Sequence, residues 1–180
     1  MCAWLLYWRF WNYFIFSLLF ITPSIAQHKH DPQSHAPYAG LQKREIKALS
    51  DEQIKDLKSG KGMTLALAAE LNGYPGPAHV LELADKINLT SKQKQQTQNL
   101  FKAMSKETKA LGAQLIKEEK ALDLLFKNKK VNPQNLKEAT LQIGQTQAKL
   151  REAHLRYHLS TVEILTPEQI KSYNKLRGYK

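Results

Sequence analysis

The same short phrase occurs twice in this chain, and each copy has the residues that start a helix. Residues 89–93 and 165–169 both contain leucine, threonine, two variable positions and glutamine. In a capping box the threonine oxygen accepts the N–H three residues on, and the glutamine accepts the threonine N–H. The leucine stands where a hydrophobic staple would pack. The shared positions, which we interpret as structural, are Leu89, Thr90, Gln93, Leu165, Thr166 and Gln169.

The residues between the two phrases predict two long helices. The first runs from about Ser91 to Lys127, with apolar residues three and four apart. Asn132 and Pro133 suit the cap and first position of the second, which extends to about Ile164. Its apolar residues, seven apart, are Leu136, Ile143, Leu150 and Tyr157. No long stretch alternates as a strand would, so we expect an all-α fold: a long antiparallel helical hairpin with short flanking helices.

With its two phrases, the chain resembles the LTxxQ-motif periplasmic proteins, which include Spy and CpxP type chaperones and ZraP-like heavy-metal-responsive relatives. The likeness covers about residues 78–178. It implies a non-enzymatic stress protein that forms a curved homodimer with a basic inner face. The length of the hairpin agrees, because two helices of about 50 Å cannot bury all of their apolar surface within one small chain.

The segment before the hairpin divides into three parts. Residues 1–26 have one basic residue, an apolar run and small residues at Ser24 and Ala26, which predicts a signal peptide and export to the periplasm. The alternative is an uncleaved anchor, the only case in which we expect membrane contact. Residues 27–44 form a flexible arm, and residues 45–77 form an extension of short helices, including a compact helix over 63–71. The helical domain then covers residues 78–180.

The histidines are the candidate metal ligands. His154 and His158 are four apart on the second long helix, so both imidazoles share one face and can bind zinc, copper or nickel. In the alternative, His154 borders the core and His158 faces water. Two ligands are too few, so a partner chain, a carboxylate or the arm must complete a site. The arm contributes His28, His30 and His35. No cofactor is required for the fold.

The charge suggests a second kind of site. The formal net charge of +11 favours anionic partners, and export argues against nucleic acid among them. We expect unfolded protein clients to bind a basic and partly apolar helical surface. Its candidate residues are Lys102, Lys106, Lys109, Lys149, Arg151, Arg156, Leu100, Phe101 and Met104. The alternative function is a sensor or buffer of zinc, copper or nickel that signals to an inner-membrane partner, and a purely structural helical protein is a third. No enzyme motif is present.

Overall fold

The computed structural model describes residues 37–179, and this part of the chain is helical throughout, without a strand. The expected all-α hairpin is confirmed. The predicted signal peptide and the arm residues His28, His30 and His35 lie outside the described residues. No described helix combines the length and the apolar character that crossing a membrane requires.

Six α-helices follow a 3-10 turn at Leu41–Lys43. They are α1 (Asp51–Ser59), α2 (Leu67–Glu70), α3 (Pro77–Glu82), α4 (Ser91–Lys127), α5 (Pro133–Val162) and α6 (Pro167–Arg177). The two long helices, α4 and α5, pack against each other as the hairpin. α1 packs on α4, α2 on α5, and α3 on both.

The helix starts are formed as the sequence predicts. The Gln93 N–H donates to Thr90 Oγ1 at 3.2 Å, and the Gln169 N–H donates to Thr166 Oγ1 at 3.2 Å. In both boxes the glutamine side chain also accepts the threonine N–H. Asn132 caps α5 in the same way. Local side-chain chemistry alone therefore determines where these helices begin.

The two repeated phrases also bind each other. Gln93 Nε2 donates to Gln169 Oε1 at 2.8 Å, and Gln169 Nε2 donates to Gln93 Oε1 at 3.0 Å. Each amide nitrogen makes a second bond, to Ile164 O and to Asn88 O respectively. The start of α4 is thereby joined to the start of α6. The leucines of both phrases contribute to a nearby apolar cluster around Val80, Ile87, Leu165 and Tyr173.

A second apolar cluster lies between the N-terminal extension and the hairpin. Its buried residues are Ile46, Leu49 and Leu57 from the extension and Leu115, Ile143 and Leu150 from the long helices. At Gly112 the contact is between backbones, since a Cβ there would lie 2.3 Å from Leu57 O. The extension therefore covers one face of the hairpin closely.

Two details of the sequence prediction are wrong. The helix expected over 63–71 is reduced to α2, because Met63 adopts a left-handed conformation (φ 46°) that cannot continue a helix. Leu136, assigned to the buried row of α5, is 36% exposed. The buried cluster reaches only to Ile143, one heptad short of Leu136.

Candidate functional site

Both helical histidines line a cleft of about 530 Å³ between α5 and the N-terminal extension. α5 supplies the histidines from one face, and the loop before α2 and the turn before α3 form the opposite wall. The residues of chemical interest along the walls are Met63, Glu70, His79, Phe101, Met104, His154 and His158.

His158 is held in one tautomer by the backbone of the extension. Its side chain is 9% exposed, and Nδ1 lies 2.6 Å from Tyr74 O. A carbonyl oxygen only accepts hydrogen bonds, so Nδ1 carries the proton and donates. The other ring nitrogen, Nε2, takes no part in this bond. Gly76 packs closely against the ring, because a Cβ at Gly76 would lie 2.7 Å from His158 Nε2.

His154 is the more deeply buried of the two histidines, at 2% exposure. Its Nε2 is buried and has no hydrogen-bond partner among the described residues. Burial lowers the pKa of His154 below its ordinary value, and the adjacent His158 lowers it further. The ring is therefore held in the neutral form that binds metal ions. The alternative in which His158 faces water is wrong.

A buried carboxylate lies beside the histidine pair. Glu70, 5% exposed, accepts hydrogen bonds from Tyr173 Oη, from Tyr179 Oη at 3.2 Å and from the Gly76 N–H at 3.2 Å. Arg177 Nε is 3.7 Å from Glu70 Oε1. Burial first, and then the Glu70 hydrogen bond, raise the pKa of Tyr173, which keeps its phenol protonated as a donor. Glu70 thus connects α2 to α6.

The same carboxylate contacts the cleft histidines. Its Oε1 lies 3.4 Å from His79 Nδ1, and its Oε2 lies 3.7 Å from His158 Nδ1. Sequence reasoning did not anticipate Glu70 or His79 in the cleft wall. The sequence did contain one indication that Glu70 is part of a buried cluster, because it is the only charged residue within the apolar run 65–71. A carboxylate in such a run needs buried partners.

The arrangement fits a metal ion in part. Two imidazoles line the cleft, one of them with an unpartnered buried nitrogen, and the thioethers of Met63 and Met104 line its walls. Within residues 37–179, however, no three histidine, cysteine or acidic side chains form a group able to hold a metal. The described residues therefore bring two candidate nitrogen ligands to one cleft, and metal binding stays a prediction.

The structure does not gather the candidate client-binding residues onto one surface. Lys102, Lys106 and Lys109 are exposed, whereas Met104 is only 8% exposed. At about 100° per residue the three lysines lie roughly opposite Met104 on α4. Phe101 is partly exposed in the cleft, and Leu100 is half-buried.

The candidate basic residues of α5 also differ from one another in their surroundings. Lys149 and Arg151 are exposed, and Arg151 borders a separate apolar groove. Arg156 is bound to Glu107 at 2.7 Å and to Glu152 at 2.9 Å, which offsets its charge. Within residues 37–179 the candidate residues do not form one continuous basic and apolar surface. The role of these residues in client binding stays a prediction.

A comparison with known families bears on the histidine cleft. A family model described as heavy-metal resistance matches residues 65–171, more than half of the chain. This chain belongs to the heavy-metal resistance family. The match includes α2, Glu70 and both helical histidines, whereas the cleft residues 60–63 precede it. The match begins inside the segment expected to be an extension. No curated protein and no solved structure matches this family member.

The buried His154 predicts a pH dependence of stability for this heavy-metal resistance family protein. Its folded-state pKa is lowered from 6.5, so the unfolded chain binds more protons as the pH falls below about 6.5. Stability should therefore decrease in that range. His154→Leu should reduce the slope by up to one proton, as measured by denaturant unfolding across a pH series. A slope identical to that of the wild type would contradict the buried neutral ring.

Proposed function

We propose that this protein binds a heavy-metal ion at His154 and His158 and serves as a periplasmic metal sensor or buffer. The observation that carries the proposal is the buried, unpartnered Nε2 of His154 beside His158 in a cleft. A buried polar atom without a partner destabilises a fold by about 1–3 kcal/mol. A metal ion that coordinates this nitrogen would remove that cost.

The chemistry of the donors favours zinc, copper or nickel. Neutral imidazole suits these ions, and the thioethers in the cleft favour copper further. Tyr74 O acts behind the site: by holding the His158 Nδ1 proton it directs Nε2 to the ion and raises its basicity. Within the site this chain's residues bind and orient, and we propose no catalytic activity.

The missing ligands come, in this proposal, from the histidine arm or from a second chain. His28, His30 and His35 precede the described residues, and they supply up to three more imidazoles. A homodimer would offer the same groups from the partner. Replacing all three arm histidines by alanine is expected to weaken metal binding while leaving the fold of the remaining chain intact. Isothermal titration of the variant with the metal measures this.

Thermal unfolding tests the site directly. An ion that binds only the folded state stabilises it by about 2.7 kcal/mol at a free concentration about one hundred times Kd. We expect Tm to rise with one of zinc, copper or nickel after chelator treatment. His154→Ala and His158→Ala should each remove the rise.

The matched control is His79→Ala, which removes a histidine at the same cleft that is 40% exposed and contacts Glu70. It should retain most of the metal-dependent rise in Tm. If all three variants lost the metal-dependent rise in Tm equally, metal binding would depend on the number of histidines and not on the His154–His158 pair. An unchanged Tm with every metal would refute the proposal.

A second candidate function is chaperone-like binding of unfolded proteins. It is favoured by the exposed lysines of α4 and by the resemblance to Spy and CpxP type proteins. Suppression of client aggregation in the presence of chelator, lost at high salt, would support it, since salt screens exposed charges. A metal-dependent effect that disappears with His154→Ala would instead support the sensor.

A further inference from the structure

The free end of the hairpin carries concentrated positive charge. We define the hairpin tip as residues 124–137, where α4 ends and α5 begins. It contains four exposed lysines, Lys127, Lys129, Lys130 and Lys137. The acidic residues Asp123 and Glu138 flank it on either side, so the local excess of positive charge is two. None of the four lysines takes part in an ion pair within the described chain. Their charge is therefore available to an external partner.

Apolar side chains are exposed beside these lysines. Phe126 is 55% exposed, Leu124 is 41% exposed and Leu136 is 36% exposed. The buried cluster of the hairpin ends at Ile143, so the fold itself does not use these side chains as core. Phe126 is the second-to-last residue of α4 and lies at the tip of the hairpin.

The turn that presents the lysines is held by its own hydrogen bonds. The Lys130 N–H donates to Leu125 O at 2.9 Å, and Asn135 Nδ2 donates to Lys130 O at 2.9 Å. Lys129 takes the left-handed conformation that closes the turn. The lysines and Phe126 are thus displayed from a fixed, convex end, with little ordering left to occur on binding.

Charge decides between a bilayer and a second copy of this chain. A second copy would bring four like charges to the contact, and these would repel the same four on the first. A flat anionic surface suits a small cationic end with a protruding aromatic ring, because lysines bind headgroups while apolar side chains enter the acyl boundary.

We propose that the hairpin tip docks on the surface of an anionic phospholipid bilayer. Lys127, Lys129, Lys130 and Lys137 contact the headgroups, and Phe126 enters the boundary with the acyl chains. This contact is separate from the histidine cleft and from any N-terminal anchor. It orients the hairpin with α3, α6 and the paired glutamines away from the membrane.

Vesicle flotation of the full chain tests the proposal. The readout is the ratio of binding to vesicles that contain phosphatidylglycerol over binding to pure phosphatidylcholine, since an apolar segment elsewhere would insert into both. Replacing the four tip lysines by glutamine is expected to reduce binding to the anionic vesicles by roughly several hundredfold, at about fivefold per lysine. Phe126→Ser should reduce it about tenfold.

The matched control replaces four exposed lysines away from the tip by glutamine: Lys55, Lys86, Lys92 and Lys171. Its net charge equals that of the tip variant, and it should retain most of the binding. An equal loss in the control would mean that overall charge, and no local site, drives binding. No preference for anionic vesicles would overturn the proposal. So would loss of self-association in Phe126→Ser without change in lipid binding, which would make the tip a contact between copies.

Discussion

Glu70→Ala is expected to lower the free energy of unfolding by about 3–5 kcal/mol, the usual cost of removing one member of a buried charged network. The carboxylate accepts bonds from Tyr173, Tyr179 and the Gly76 N–H. Alanine would leave the phenol of Tyr173 buried without its acceptor. Denaturant unfolding followed by far-UV circular dichroism measures the loss.

Two variants make the Glu70 prediction specific. Glu82→Ala removes an exposed carboxylate of α3 and should change stability by less than about 0.5 kcal/mol. Tyr173→Phe removes only the hydroxyl, and combined with Glu70→Ala it should cost less than the sum of the two separate losses, because they share one hydrogen bond. Strict additivity would show that Glu70 and Tyr173 act independently and would contradict the network.

Leu150→Ala should cost about 2–5 kcal/mol, the range measured for truncating fully buried leucines. Leu150 is 3% exposed and lies in the cluster that joins the hairpin to the extension. The cavity would be bounded by Leu57 and Leu115, which belong to two separate helices and cannot both move in to fill it. Denaturant unfolding at neutral pH measures the effect.

Leu141→Ala is the matched control, since it makes the same truncation on the same helix at a position that is 55% exposed. It should change stability by about 0.5 kcal/mol or less. A cost at Leu150 no larger than at Leu141 would mean that the extension does not pack on the hairpin. The extension would then be an independent segment.

The helix boundaries could be predicted because capping is local. Each long or C-terminal helix starts at a cap whose side chain accepts the backbone N–H three residues on, at Thr90, Asn132 and Thr166. Because both groups lie in one short segment, the sequence alone predicts the interaction. The helix expected over 63–71 is shorter in the structure. Its alanines and leucines favour a helix, but Met63 takes a positive φ and Gly62 packs on His154 of α5, a contact that neighbouring sequence positions do not reveal.

The candidate site was predicted only in part. The spacing of His154 and His158 places both rings on one face of any helix, so their proximity follows from the sequence. The sequence did not indicate that the extension would supply the opposite wall of the cleft. Glu70 reaches His158 from a position more than 70 residues earlier in the chain, and it also contacts His79. The periodicity of the sequence does not predict such long-range contacts.

The sequence by itself determined that this chain is helical, where its long helices start and that two histidines share one face, because these properties depend on residues within a turn or two. Only the tertiary structure decided that Gln93 binds Gln169, that Glu70 joins α2 to α6 and that His154 Nε2 is buried without a partner. Each of these depends on how distant elements pack. Burial and hydrogen bonding between distant residues arise only when the helices close on one another.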